Sequence, residues 1–315
     1  MRAVTLDGQL RVDHHAAMPQ VTGDQALIKI RRAGICNTDL ELVAGYMNYS
    51  GILGHEFVGV VVDGRGVDDL IGRRVVGEIN VADGTCDLCA RGIPSQCRNR
   101  TTVGLDRHPG AFADYLALTR QNLHVVPDQI SDDQAVFVEP LAAALQIFEA
   151  IHVSPRDRVV LIGAGKLGML VAQVMRLIGC DLSVVVRREQ QARLLNHWGI
   201  DAVDRVPPQQ AQVVIDCTGT AAGFSLALDL IEPRGTVVLK STYTALPQAD
   251  LTRVAVNEVR VIGSRCGPFP AALRLLSLGL VDVDSLIEQR YTLDEALEAF
   301  SAAAQPGKLK VLLDF

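Results

Sequence analysis

The run VVLIGAGKLG, Val159 to Gly168, restricts the fold of this chain more than any other segment. Four apolar residues read as a short buried strand, and G-x-G-x-x-G follows at once and opens a helical pattern. Gly163 permits a tight turn, Gly165 lets a pyrophosphate approach the backbone, and Gly168 lets the helix pack close to the strand. The helix start offers free N–H groups and partial positive charge to phosphates. Glycines at this spacing also make plain turns in ordinary α/β domains. Here a second strand ends about twenty residues later, the context in which the pattern becomes specific. Lys166 and Leu167, between the last two glycines, and Thr218, at the end of VVIDCTG, complete the candidate cofactor contacts.

Around that run, strands and helices alternate. RVVLIG, LSVVV, VVIDCTG, GTVVLK and EVRVIGS read as strands, with KLGMLVAQVMRLIG, EQQARLLNHWG and AAGFSLALDLI as helices between them. Alternation at this interval predicts a parallel sheet with right-handed crossovers, a doubly wound α/β domain. Upstream the texture differs. The opening MRAVTLDGQLRV alternates like a strand, and LIKIRRAGI, FVGVVV, RRVVGEINV, AFADYLAL and HVVP are β-like runs broken by Gly and Pro. They predict a barrel-like β unit with long loops. SDDQAVFVEPLAAALQIFEAI, with a polar cap and acidic first turn, predicts one helix joining the two regions. After Pro268 come the helices AALRLLSLG and LDEALEAFSAAA and a closing strand, KLKVLLDF. The expected division is 1–138, 139–267 and a return to the first unit over 268–315.

A net charge of −6 over 315 residues argues against nucleic acid or an anionic membrane as partner. No apolar stretch approaches the ~18 residues that span a bilayer. Seven cysteines, unevenly grouped, favour metal ligands and buried thiols over a disulfide framework, and point to the cytoplasm.

Two arginines sharpen the cofactor expectation. Enzymes that take NAD place Asp or Glu at the end of the second strand, where it binds the ribose hydroxyls. This chain has VVVRRE there, with Arg187 and Arg188. Guanidinium groups suit a 2′-phosphate through charge-assisted bonds, so NADP(H) is expected over NAD(H). The alternative is that both arginines decorate an exposed helix start.

Candidate metal ligands lie upstream. Cys36, in GICNTDLEL, and His55, in GHEFVG, stand nineteen positions apart. A thiolate, an imidazole and a carboxylate suit Zn2+, and three protein ligands leave one position open for catalysis. A buried thiol and a structural histidine are the plainer account. Further on, DGTCDLCARGIPSQC places Asp83 ahead of Cys86, Cys89 and Cys97 at C-x2-C-x7-C spacing.

In this order, G-x-C-x-T-D, G-H-E-x-x-G, a cysteine cluster, E-P-L-A and G-x-G-x-x-G resemble the zinc-dependent medium-chain dehydrogenase/reductase family. The likeness reaches its polyol and threonine dehydrogenases and spans nearly the whole chain. It implies a GroES-like catalytic domain carrying the metal sites and a Rossmann cofactor domain. Cys36 and His55 match the family's catalytic-zinc ligands, and Glu56 or Glu139 would be the third. Glu139 precedes Pro140, where it could equally serve as a favourable charge at a helix start. Asp39 matches the acid that orients the zinc histidine, and Thr38 the hydroxyl through which the alcohol proton leaves. Asn37 stands where glycine or arginine is commoner. The family's structural-zinc lobe has four cysteines. Taking Gly92 as register, Asp83 occupies the first of those positions and Cys86, Cys89 and Cys97 the others. An aspartate oxygen is an acceptable zinc ligand; an emptied lobe held by packing is the rival.

The implied reaction is reversible oxidation of an alcohol to a ketone or aldehyde, with hydride passing to nicotinamide, and the resemblance leans towards a polyol or sugar as the alcohol. Tyr46, Met47, Asn48 and Tyr49 are pocket candidates, and a homodimer or homotetramer is implied. A zinc-free quinone or enone reductase and a non-catalytic nicotinamide sensor are the competing readings. Cys180, Cys217 and Cys266 read as packing.

Overall fold

Strand–helix alternation after Arg158 produces a six-stranded parallel sheet. In this computed structural model, which describes residues 1–243 and 247–315, the strands are Arg158–Ile162, Asp181–Val185, Asp201–Val203, Ala211–Asp216, Ile231–Leu239 and Arg260–Gly263. Numbered along the chain, they lie in the order 3-2-1-4-5-6, and every pairing is parallel. The order reverses between the first and fourth strands, where a doubly wound sheet leaves a crevice at its carboxyl ends. Asp201–Val203 is the strand that the sequence pattern misses. Its three residues are too few to show a period, and pairing with Asp181–Val185 makes the strand.

Val160, Val214, Ala227, Leu228 and Val237 belong to one buried cluster of this sheet and the helix Ala221–Leu230. Burying a Val or Leu side chain contributes about 1.5–3 kcal/mol. The near-continuous apolar strands therefore follow from a sheet covered on both faces.

Residues Met1–Glu139 and Phe269–Phe315 form one compact unit, and Pro140–Pro268 form the other. In the first, strand Gln25–Gly34 is central. It pairs antiparallel with Glu56–Gly64 along one edge, and with Tyr115–Thr119 and Lys310–Asp314 along the other. The last strand of the chain is thus an integral member of the sheet made by its beginning.

Three local readings change. The opening alternation is a hairpin, Ala3–Asp7 with Gln9–Asp13, because Gly8 turns the chain at φ 66°. RRVVGEINV divides into Arg74–Gly77 and Asn80–Val81, which belong to different sheets. The single helix expected over 131–151 is two, Asp132–Ala135 and Val138–Ala150. Pro140 explains the break, since in a continuous helix its ring would meet the carbonyl four residues earlier, at Val136. Ser131 caps the first piece, its Oγ accepting from Gln134 N at 3.1 Å. No helix among the described residues is long and apolar enough to cross a membrane.

Candidate active site

Antiparallel pairing closes the nineteen-position gap between Cys36 and His55. Gly34, at the end of one strand, lies opposite Glu56, at the start of its neighbour. Cys36 and His55 flank those positions and meet at the same end of the sheet. The Cys36 sulfur, a His55 ring nitrogen and a Glu56 carboxylate oxygen all lie within 4.8 Å of one another. Cys36 begins the helix Asn37–Val43. That helix turns Asp39 back, so one oxygen accepts from Cys36 N at 2.8 Å. The other oxygen stands 3.3 Å from His55 Nδ1, close enough for an ion pair but without an aligned hydrogen bond. Thr38 Oγ1 is 3.8 Å from Cys36 Sγ.

Charge is concentrated in this pocket. Asp39, His55 and Glu56 are buried. Burial pulls the His55 imidazolium down, yet Asp39 and Cys36 outweigh it and leave its pKa well above the usual histidine value. The residues fit a divalent cation: sulfur, nitrogen and oxygen donors converge, and Asp39 faces the ring nitrogen that a metal bound at the other nitrogen leaves free. Glu139, second residue of Val138–Ala150, stands outside this group of three.

Asp83, Cys86, Cys89 and Cys97 form a second group, also with ligand atoms within 4.8 Å of one another. Cys86 Sγ and Cys89 Sγ are 3.5 Å apart, and Cys97 Sγ is 3.2 Å from Asp83 Oδ1. The Arg98 backbone N–H, then that of Cys89, lowers the Cys86 thiol to about 7. Desolvation and the neighbouring thiols raise Cys89 to about 11. The Thr85 backbone N–H and the Asn99 amide hold Asp83 below the carboxylate range. Three sulfurs and a carboxylate brought this close, with one thiol and the carboxylate lowered, make a donor set that suits a metal ion. Tyr46–Asn48 is a short 3-10 turn in which Met47 is exposed at φ 60°, and Tyr49 Oη donates to Ile52 O at 2.8 Å.

In the parallel sheet, Gly163 has φ 96°, and a Cβ on Gly168 would lie 1.9 Å from Gly163 O. Only glycine permits that contact of helix and turn. A Cβ on Gly165 would meet no protein atom within 4 Å, so there is room over the start of the helix Lys166–Arg176. Lys166 and Leu167 are its first two residues. Thr218 lies beside Gly163, its Oγ1 donating to Asp216 Oδ1 at 2.7 Å. Arg187 and Arg188 follow the strand Asp181–Val185, with Arg188 as N-cap of the helix Glu189–His197. Both are exposed, and among the described residues neither forms an ion pair.

With this geometry in view, relatedness can be placed. Residues 22–128 match the Alcohol dehydrogenase GroES-like domain, and residues 167–278 match the Zinc-binding dehydrogenase domain. D-arabitol-phosphate dehydrogenase of Enterococcus avium is 28% identical, over 95% of this chain and 92% of its own. Sorbitol dehydrogenase of Halalkalibacterium halodurans is 29% identical, over 92% and 91%. Among solved structures, a protein described as a zinc-binding dehydrogenase from Sinorhizobium meliloti, bound to NADP, superposes with a TM-score of 0.90 at 28% identity, covering 100% of this chain and 99% of its own. Galactitol-1-phosphate dehydrogenase from Escherichia coli gives 0.90 at 25% identity, covering 100% of both. The chain belongs to the zinc-type medium-chain dehydrogenase family, in its polyol and threonine dehydrogenase branch. It is an enzyme of the alcohol dehydrogenase type.

Motif reading misses three cations. Arg205 follows the strand Asp201–Val203 by two residues, at the same sheet end as Arg187 and Arg188. Lys240 directly follows the strand Ile231–Leu239. Lys310 opens the last strand, and its ammonium forms a buried ion pair with Glu56. Burial opposes its charge, but Glu56 foremost, with Cys36 and Asp39, holds its pKa above the ordinary lysine value. Gly34 makes room for the pair, since a Cβ there would lie 2.7 Å from Glu56 Oε2. No local signal marks Lys310, which shares the closing strand with a second charged residue, Asp314. Removing one member of a buried pair typically costs ~3–5 kcal/mol. Lys310→Met is expected to lose that much in urea unfolding, and Lys310→Met with Glu56→Leu to recover most of it. Equal losses in the single and double variants would deny the coupling.

Proposed function

We propose that the protein is a zinc-dependent dehydrogenase moving a hydride between an alcohol and NADP(H), with a ketone or aldehyde as the other partner. The convergence of Cys36, His55 and Glu56 within 4.8 Å carries this reading. Cys36 and His55 would hold the catalytic zinc, with Glu56 or Glu139 as third ligand. The sulfur, nitrogen and oxygen donors of these residues suit a divalent cation, whose binding would displace the proton that His55 otherwise holds. A zinc ion bound there supplies Lewis acidity to the substrate oxygen. Asp39 holds the His55 ring in one tautomer and orientation. The Thr38 hydroxyl takes the proton leaving the alcohol and passes it outward. The substrate class is polyol or sugar, supported by the pocket's carboxylate in place of a third cysteine ligand and by the names of the sorbitol and arabitol-phosphate relatives.

The reading is tested by following nicotinamide absorbance against polyols, sugars and simple alcohols with both cofactors. Turnover should vanish on chelation and in Cys36→Ser, with cofactor binding kept. Turnover that survives chelation would favour a zinc-free enone or quinone reductase; cofactor binding with no turnover on any alcohol would favour a sensor. The Asp83, Cys86, Cys89 and Cys97 lobe is read as a second, structural zinc site. Fresh protein should then hold about two zinc ions per chain, the count that these two donor sets allow; one alone removes the second site.

NADP(H) is preferred in this reading because Arg187 and Arg188 replace the acidic residue at the second strand, with Arg205 beside them. A charge-assisted hydrogen bond contributes ~1.5–3 kcal/mol, or about 10–100-fold in binding. Arg187→Ala should weaken NADP(H) by that factor and leave NAD(H) nearly unchanged. Equal loss for both cofactors would refute the assignment.

A homodimer or homotetramer completes the reading. Arg260–Gly263 is an open edge of the parallel sheet, with Val261 40% exposed, and Leu251 and Val256 are 71% and 74% exposed. Such an edge invites a partner. Sedimentation at micromolar concentration should give a multiple of the chain mass, and a monomer would remove the proposal. Unbridged Cys36, Cys86, Cys89, Cys97, Cys180 and Cys217 support a cytoplasmic setting.

A further inference from the structure

Lys240 directly follows the fifth strand of the parallel sheet, Ile231–Leu239, and is only 8% exposed. Its Nζ donates to Ala143 O at 2.6 Å, to Ser264 O at 2.8 Å and to Ser264 Oγ at 3.1 Å. Two carbonyls and a hydroxyl thus take the three hydrogens that an ammonium offers. Ser264 itself directly follows the sixth strand, Arg260–Gly263. The ammonium is therefore fixed at the carboxyl end of the fifth and sixth strands. Asp216, buried at the end of the fourth strand, is engaged by Thr218 at 2.7 Å and by the Tyr243 hydroxyl at 2.6 Å.

A sheet in the order 3-2-1-4-5-6 binds a dinucleotide across its carboxyl ends, one mononucleotide over each half. Arg187 and Arg188 end the second strand, in the half that takes the adenosine ribose. The nicotinamide then belongs to the half formed by strands four to six, where Lys240 stands. All these residues lie within the unit Pro140–Pro268.

We propose that the Lys240 ammonium sets the oxidation-state preference of the bound cofactor. The oxidised nicotinamide ring carries one positive charge and the reduced ring none. A cation held in a poorly solvated place raises the free energy of the first and leaves the second almost untouched. In the forward step the alcohol C–H bond breaks, the hydride with both electrons joins the ring, and the alcohol proton leaves separately. The ring loses its charge in that step, so the same field tilts the bound equilibrium towards carbonyl product and reduced cofactor. Lys240 touches no reacting atom in this scheme; it acts through its field. The inference rests on nicotinamide binding by this unit.

Fluorescence titration of the full chain with NADP+ and NADPH, or with NAD+ and NADH, gives the dissociation constants of both forms. The wild type should bind the reduced form at least tenfold more tightly. Lys240→Met should move that ratio about tenfold towards the oxidised form, the effect of unit charges roughly 10 Å apart at an effective dielectric of about 20. Lys240→Gln keeps a donor without the charge and serves where the methionine variant does not fold, judged by circular dichroism. Lys240→Arg keeps the charge and should keep the ratio, which a purely structural role does not require. Equal affinity for both forms in the wild type, or a ratio within twofold of wild type in a folded neutral variant, overturns the proposal. Binding of neither form by wild type overturns it together with the cofactor reading, whereas binding of both with an unmoved ratio overturns it alone.

Discussion

The register that sets Gly34 opposite Glu56 on one edge of a strand, and opposite Leu312 on the other, is the constraint on which the candidate metal pocket depends. Cys36 emerges just beyond Gly34, His55 just before Glu56, and Lys310 two residues from Leu312. Ile35 N donates to Val311 O at 3.0 Å, which holds the last strand against the start of that turn. A slip of one residue in either pairing would turn these side chains to opposite faces of the sheet. Segments from the beginning and the very end of the chain are therefore made into one site by backbone hydrogen bonds, before any side chain chooses a partner.

Within that frame, electrostatics decides which groups can stay charged. Asp39, Glu56 and Lys310 are almost fully buried, where an isolated charge is strongly disfavoured. Glu56 and Lys310 stabilise each other, and Asp39 has His55 and the Cys36 N–H. Two carboxylates thus face two cations, with the Cys36 thiol beside them, which distinguishes the pocket from an apolar core. The parallel sheet is biased to one sign. Arg187, Arg188 and Arg205 gather at the carboxyl ends of two neighbouring strands, and Lys240 is held at the ends of two others. One unit gathers sulfur, nitrogen and oxygen donors about a prospective cation; the other concentrates positive charge about a prospective phosphate-bearing cofactor.

Much of this could be read from the chain directly, though unevenly. The dinucleotide turn was legible because its strand, three glycines and helix are contiguous, so one stretch contains both partners of every contact. The C-x2-C pair was legible for the same reason. The three-residue strand Asp201–Val203 and the hairpin at Gly8 were not: one is shorter than any period, and the other keeps its alternation across the turn. The break at Pro140 was available in principle, since the clash with a carbonyl four residues back is local, yet the apolar run on both sides masks it.

Sequence alone determined the class of the chain, its strand–helix alternation, its glycine turn and the residue types able to bind metal and phosphate. These follow from interactions between neighbours, whose geometry is set by covalent connection. Tertiary structure decided which carboxylate faces the thiol and imidazole, that Lys310 meets a glutamate 254 positions away, and that Lys240 is buried among carbonyls. Such contacts depend on sheet register and chain return, and they bring together residues with no common local pattern.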